Sequence, residues 1–451
     1  MNRRHFVKAL TVTSISAGML SAGERTPSNP ERSHASEQIL WRPKIPVRYE
    51  ADVAVIGGGI AGVSAAAAAA KSGVNVVLVE RFAITGGMLT TGGVANFCGQ
   101  MTGQGEVFDQ IIDDLKVWNA IGYGKPSCFH YEILAIILQE LLLKRNVKLL
   151  LHTRFIGVNV HSDGSISECI VCGKSGPEAI RAKQVIDCTG EGDVGRYAGF
   201  EILKGGGGGY QLPMSLMYFV RHVDAAEAKP HLPDGWFEPV CTEADLPMTS
   251  IWPDGPRSNA IKIKIPMFDA TDTESLTAAE IRARRRMIEV LDFHQRCERR
   301  SWLLDHCSPI IGIREGCRIV GDYVLLVDDL RAGRAFEDGV ARGTFYLDGH
   351  KSDDDKRTYI LPKDQLNVPP YQIPLRSLIA RDGRNLMMAG RCFSADQLAL
   401  SSARVSTTAS MMGQAAGITA AICAQRACQP RELDPEEIKR IVIERGAALD
   451  V

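Results

Sequence analysis

Asp52-Val53-Ala54-Val55-Ile56-Gly57-Gly58-Gly59-Ile60-Ala61-Gly62-Val63-Ser64-Ala65 begins as a short apolar run rich in β-branched residues. Such a run reads as a buried parallel strand. Gly57-x-Gly59-x-x-Gly62 follows at once. Gly57 permits a tight turn, Gly59 lets a pyrophosphate approach the backbone, and Gly62 lets the next helix pack closely on the strand. Ala65 to Ala70 are strong helix formers, and Gly73 suits the end of that helix. The second strand, Asn75-Val76-Val77-Leu78-Val79-Glu80, ends in an acid placed to accept hydrogen bonds from a ribose hydroxyl. Strand, glycines, helix, strand and acid in this order predict a dinucleotide-binding βαβ unit.

The chain begins Asn2-Arg3-Arg4-His5-Phe6-Val7-Lys8, and a mildly apolar segment follows to about Gly23. Paired arginines, a phenylalanine two positions on, a lysine and a short, weakly hydrophobic run resemble a twin-arginine export signal. The segment is too short and polar to span a bilayer. Residues 1–23 are therefore expected to be a leader, residues 24–49 a polar, proline-bearing linker, and the protein periplasmic or secreted. Export in the folded state favours a tightly held dinucleotide over a freely exchanging nicotinamide.

The 451 residues carry 52 basic and 53 acidic side chains, a formal charge of −1. Without a basic excess to displace counterions, nucleic acid is not an expected partner. The twelve cysteines are scattered. Cys169 and Cys172, the only CxxC pair, lie in an alternating, strand-like stretch that points them to opposite faces, so they read as packing residues and no metal site is expected.

After Glu80, Thr85-Gly86-Gly87-Met88-Leu89-Thr90-Thr91-Gly92-Gly93 suggests a loop pressed against an extended ligand. Helices are expected over residues 106–120 and 130–145. Gln139 and Glu140 interrupt the second, which makes it a core helix and leaves no membrane span in the mature chain. Strands follow at 147–153, 155–160, 167–171 and 182–190. From Gly205 to about residue 369 the chain changes character, with a glycine run, more tryptophan and proline, and a long charged helix from Leu276 to about Arg300 whose Arg282–Arg286 run reads as a solvated face. Asn385-Leu386-Met387-Met388-Ala389-Gly390 returns to the first style, and Asp434-Pro435 caps a last helix. The expected fold class is α/β: a Rossmann-type domain split into residues 50–204 and 370–451, with an α+β substrate or cap domain, residues 205–369, inserted between them.

With those segments placed, the chain resembles the FAD-dependent oxidoreductases related to the fumarate reductase and glutathione reductase flavoproteins. Gly57–Gly62 with Glu80, Gly86-Gly87-Met88, Val185–Asp193, Arg314–Tyr323, Asn385–Ala395 and Gly413–Gly417 carry the resemblance. It implies non-covalent FAD held by Gly57, Gly58, Gly59, Ala61, Gly62, Glu80 and Arg81, and by Gly86, Gly87, Met88 and Phe155. Further along it implies Thr189, Gly190, Asp193, Gly390 and Arg391. It also implies that Gly413–Gly417 begins a helix whose positive end faces the flavin, which adds Gln414, Ala415, Ala416 and Gly417. Relatives commonly show Pro-aliphatic-Asp-Ile-His where this chain has Tyr346-Leu347-Asp348-Gly349-His350. No flavin-attachment histidine is identifiable.

Hydride transfer to flavin needs a C–H bond near N5 and a base for the accompanying proton. His350, Arg314, Arg318 and Arg404 are the candidates. Each also has a structural reading, Arg314 and Arg318 as one helical turn paired with Glu315 and Asp322. The expected activity is oxidation or reduction of a small polar substrate (polyol, sugar derivative, hydroxy acid or amine), with electrons exchanged with a quinone, a redox protein or oxygen. A flavin-dependent lyase or isomerase, and a non-catalytic flavin electron carrier, remain alternatives.

Overall fold

The computed structural model describes residues 44–207 and 209–451. The leader, and the linker as far as residue 43, lie outside them. Strand β1 (Val47–Ile56) starts inside the stretch expected to be linker, and Val53 to Ile56 at its end are fully buried. Gly57, at φ +103°, makes the turn, because a Cβ there would lie 2.4 Å from the Cys188 carbonyl oxygen. Helix α1 (Ile60–Lys71) and strand β2 (Val76–Val79) complete the βαβ unit, with Val53 opposite Val76 in parallel register.

Helices α2 (Glu106–Val117) and α3 (Tyr131–Lys144) precede β3 (Lys148–Leu150), β4 (Arg154–Val160), β5 (Ile166–Gly173) and β6 (Gly176–Asp187). Helix α4 (Asp193–Tyr197) and strand β7 (Ile202–Lys204) lead into the insert. This comprises β8 (Met214–His222), β9 (Thr249–Pro253), β10 (Ser258–Ile265), α5 (Thr273–Arg296) and β11 (Trp302–Cys307). The chain returns through β12 (Cys317–Ile319), which pairs with β7, then α6 (Val327–Arg331) and the antiparallel pair β13 (Gly339–Gly343) and β14 (Tyr371–Pro374). It ends with β15 (Leu386–Met388), α7 (Gln397–Ala403), α8 (Ser406–Arg426) and α9 (Pro435–Glu444).

The main sheet runs β3-β2-β1-β6-β5-β4, and β15 also pairs with β6. β6 is long enough to serve two neighbours along one edge. Its first half takes β5 antiparallel, and Val185–Asp187 take Leu386–Met388 of β15 parallel. β1, β2, β6 and β15 are all parallel, so their carboxyl ends open on one side, where ligands bind in such sheets. This is the α/β class read from the sequence, a discontinuous Rossmann-type domain with an inserted α+β unit.

The insert is an antiparallel sheet, β11-β8-β10-β9, with α5 packed on one face. Leu216, Tyr218 and Val220 of β8 and Ile261 and Ile263 of β10 share a core with Ala279, Ala283, Met287, Val290 and Leu291 of α5. Arg282 and Arg285 stay on the solvent side of that helix, while Arg284 and Arg286 pair with Glu280 and Glu289. Residues 45–451 form one compact body with two main cores. Ile319, Leu330, Val340 and Leu347 belong to the core of the first domain. The segment 205–369 is thus divided between two cores, and by core membership the insert is narrower than expected.

The expected helix start at Gly413–Gly417 is not observed. α8 starts seven residues earlier, at Ser406, and Gly413 and Gly417 lie within it, against α1. A Cβ on Gly413 would lie 2.1 Å from the Ala61 carbonyl oxygen, and one on Gly417 would lie 2.2 Å from that of Ala65. The glycines are there because two helix backbones meet.

Candidate functional site

A cavity opens at the carboxyl ends of the parallel strands. At one end Gly57 and Gly59 follow β1, Glu80 and Arg81 follow β2, Thr189 and Gly190 follow β6, and Gly390 and Arg391 follow β15. A Cβ on Gly59 would meet no heavy atom within 4 Å, so this position faces open space. Gly59 is also the N-cap of α1, and no side chain caps the free N–H groups there. The first turn of α8, at Val405, Ser406 and Ala409, lines the same cavity and also lacks a side-chain cap. Two positive helix ends therefore meet the cavity.

Glu80 is buried, and its carboxylate accepts hydrogen bonds from the Gly58 and Phe82 N–H groups, each at 2.8 Å. Burial raises its pKa against the pull of those two bonds. Each oxygen keeps a second lone pair for a ligand hydroxyl. Glu191 takes the Arg391 guanidinium at 2.6 Å and that of Arg81 at 3.7 Å, which ties two cavity-lining cations to one buried acid. Asp187 accepts hydrogen bonds from the Thr189 N–H and hydroxyl and from the Val194 N–H, holding the turn after β6. Burial raises the Asp193 pKa to about 6, and the charges of Glu191 and Asp187 add to the shift.

Ala61, Gly86, Gly87, Met88, Phe155 and Asp193 also line the cavity. Gly58 and Gly62 do not. A Cβ on Gly58 would meet that of Glu80 at 2.9 Å, and one on Gly62 the Gly57 carbonyl oxygen at 1.8 Å, so these glycines serve the packing of the turn. Gln414 lies away from the cavity; its side chain accepts from the Val107 N–H and donates to the Arg445 carbonyl. Ala415, Ala416 and Gly417 are buried within α8. Their expected place at a helix start belongs instead to Val405, Ser406 and Ala409.

At the other end, polar groups gather around Asp348. Its carboxylate takes the Arg404 guanidinium at 2.8 Å, that of Arg314 at 3.6 Å, the His350 Nε2 at 3.1 Å and the Tyr346 hydroxyl at 3.2 Å. Burial alone would raise the Asp348 pKa. The His350 hydrogen bond and the two guanidinium charges outweigh it and hold the acid well below the usual carboxylate range. Burial lowers the His350 pKa against its bond to Asp348, with the Arg314 charge helping.

Arg314, Arg404 and Asp348 line the cavity, whereas His350 does not. His350 stands behind Asp348, stacked on Tyr359 at 4.4 Å, and is a positioning residue at most. Arg318 is not part of this group. It is 1% exposed and pairs with Glu315 at 3.2 Å, and it donates to the Gly205 carbonyl at 2.8 Å. Glu315 in turn accepts from the Leu212 N–H, so the pair braces the entry into the insert. No helix runs from Arg314 to Arg318; Arg318 lies on β12.

A family model described as FAD dependent oxidoreductase matches residues 52–442. The chain belongs to the FAD-dependent oxidoreductase family. Among solved structures, this oxidoreductase is similar to a geranylgeranyl bacteriochlorophyll reductase-like protein from Thermoplasma acidophilum, with 13% identity and a TM-score of 0.47 over 89% of this chain and 94% of that one. It is also similar to the OxyS anhydrotetracycline hydroxylase from Streptomyces rimosus, with 13% identity and a TM-score of 0.46 over 88% of this chain and 68% of that one. No curated protein matches it in sequence.

FAD is the cofactor of this oxidoreductase, and the cavity fits it. Open space at Gly59, two uncapped helix starts, the arginines on Glu191 and the acid after β2 suit a pyrophosphate and a ribose. Among the described residues, no group of His, Cys, Asp and Glu could hold a metal, and no helix is long and apolar enough to cross a membrane.

Sequence reasoning quoted Asp348 but did not single it out, and it missed Cys98, Ser215, Met217 and Lys262, all of which line the cavity. Burial raises the pKa of the Cys98 thiol. The alternation in Ala260-Ile261-Lys262-Ile263-Lys264-Ile265 marks a strand with one apolar face. It says nothing of what the lysine face covers.

Proposed function

We propose that this FAD-dependent oxidoreductase is exported and exchanges a hydride between the flavin and a small polar substrate, a polyol, sugar derivative, hydroxy acid or amine. FAD, held without a covalent link, supplies N5 as hydride acceptor or donor. The observation that carries this reading is the meeting of Arg314, Arg404 and Asp348 on the wall of the cavity that also contains the glycine cradle. A guanidinium presents several donors in a rigid fork, and Asp348 keeps two of them in place. Ser215 and Met217 line the recess from the inserted sheet, so the substrate lies between the two parts of the fold.

The electrons pass to or from a quinone, a redox protein or oxygen. We also read the chain as a relative of the fumarate reductase and glutathione reductase flavoproteins. The Arg3-Arg4 leader supports export by the twin-arginine route. The test is anaerobic mixing of the flavin-loaded protein with a panel of polyols, sugars, hydroxy acids and amines, followed by flavin absorbance. One class should bleach the flavin. Product formed with the flavin still oxidised at the end would mean chemistry without net redox change and would overturn the reading.

A further inference from the structure

The recess carries more positive charge than it balances. Arg314, Arg404 and Lys262 all line it, and among the described residues Asp348 is the carboxylate that pairs with the two arginines. Asp348 is already shared among two arginines, a histidine and a tyrosine. The Arg314 Nη1 has only the 3.6 Å ion pair with Asp348, and neither it nor the Arg404 Nε, both buried, makes a hydrogen bond. The Lys262 side chain, on β10, feels the charge of Asp348 but makes no hydrogen bond or ion pair with any described residue. Its neighbour Lys264, two positions along the same face, is fully engaged by Asp354 at 3.2 Å and the Lys356 carbonyl at 2.8 Å. A half-buried ammonium without a partner, beside two largely buried guanidiniums that share one acid, is costly unless an anion arrives to pair with them.

We propose that Lys262, Arg314 and Arg404 form an anion subsite that selects substrates bearing a carboxylate. The inference rests on the function proposed above and narrows it: hydroxy acids and sugar acids fit, an ammonium group is repelled, and a neutral polyol leaves the charge unpaired. The titration of Lys262 agrees. Burial pushes the ammonium down to about 8, and the Arg314 charge helps. The other charged or titratable groups acting on it are Asp348, Cys98 and Arg404. His350 and Tyr346 stand at the Asp348 carboxylate. An incoming carboxylate favours protonated Lys262, so affinity is full below pH 8 and falls as the pH rises through it.

The test is equilibrium binding to the holoenzyme, read by calorimetry and by perturbation of the flavin spectrum. The probes are acetate, lactate and gluconate against acetamide, lactamide and glucitol. The acids should bind and their neutral counterparts should not, with wild-type affinity falling above pH 8. Lys262→Met should retain FAD, bind the acids roughly ten- to hundredfold more weakly at pH 7 and lose the pH step. Lys262→Arg should keep most of the affinity and shift the step upward. Equal binding of acids and neutral analogues, wild-type affinity in Lys262→Met, or loss of FAD from that variant would overturn the subsite. Acid binding with no bleaching by any substrate would leave the subsite standing and count against the proposed function.

Discussion

At Gly59 a methyl group meets no protein atom within 4 Å, and the residue's φ of −64° suits any L-residue. Gly59→Ala should therefore fold with an apoprotein stability within about 0.5 kcal/mol of wild type. It should still lose FAD, because the methyl occupies the path of the pyrophosphate; released flavin per protein and urea melts of the apoprotein separate the two effects. Asp348 is the opposite kind of residue, with four partners in the free protein. Asp348→Asn leaves two buried guanidiniums uncompensated and should cost about 3–5 kcal/mol in urea unfolding. The acid's pKa in the fold lies below its unfolded value of about 3.9. Its contribution is thus present above that pH and is lost as the pH falls towards the folded value, where the carboxylate takes up its proton. Stability of the wild type should fall across the acid range, and the asparagine variant should lack that part of the slope.

At the scale of elements, the contact of α1 with α8 positions the cradle. Gly413 and Gly417 of α8 lie over Ala61 and Ala65 of α1, and the Ser64 and Ser410 hydroxyls meet at 2.7 Å between them. Small residues one turn apart let the backbones approach, and both helix starts are then held at the same cavity. A methyl on Gly413 would collide with the α1 backbone, which cannot rotate away as a side chain can. Gly413→Ala should lower stability by at least about 1–3 kcal/mol and loosen FAD as α1 shifts. Thermal melts of apo- and holoprotein would show both losses, in contrast to Gly59→Ala, which loses FAD alone.

Across the whole molecule, the cavity takes residues from both parts of the fold: Gly57 and Gly390 from the main sheet, Met217 and Lys262 from the inserted one. FAD binding should therefore stabilise both parts together. With free FAD at a hundred times its Kd the gain is about 2.7 kcal/mol, visible as a melting temperature that rises with FAD concentration. Failure of added FAD to move the transition would contradict a shared site. Export belongs to this scale too, because the twin-arginine route carries folded proteins. Replacing Arg3 and Arg4 by lysine should leave a flavin-loaded precursor in the cytoplasm, detectable by fractionation, and normal crossing without the pair would contradict the export reading.

The sequence by itself determined what is local: β1, the glycine turn, α1 and β2 with its acid, the turns at Thr189-Gly190 and Gly390 that follow β6 and β15, and the Asp434 cap of α9. Each of these is written in neighbouring residues, through turn stereochemistry, side-chain period or capping. Only the tertiary structure decided which face met what. By itself the pattern Gly413–Gly417 favours a close helix contact, the family resemblance implied a helix start instead, and α1 lies against it. Arg318 and His350 have the chemistry of site residues, but Glu315 takes the first and Asp348 stands in front of the second. Lys262 lies on an alternating strand and drew no reading from the sequence. The side of that strand away from α5 is occupied by residues distant in the chain, and sequence periodicity marks the presence of a face without naming its partner.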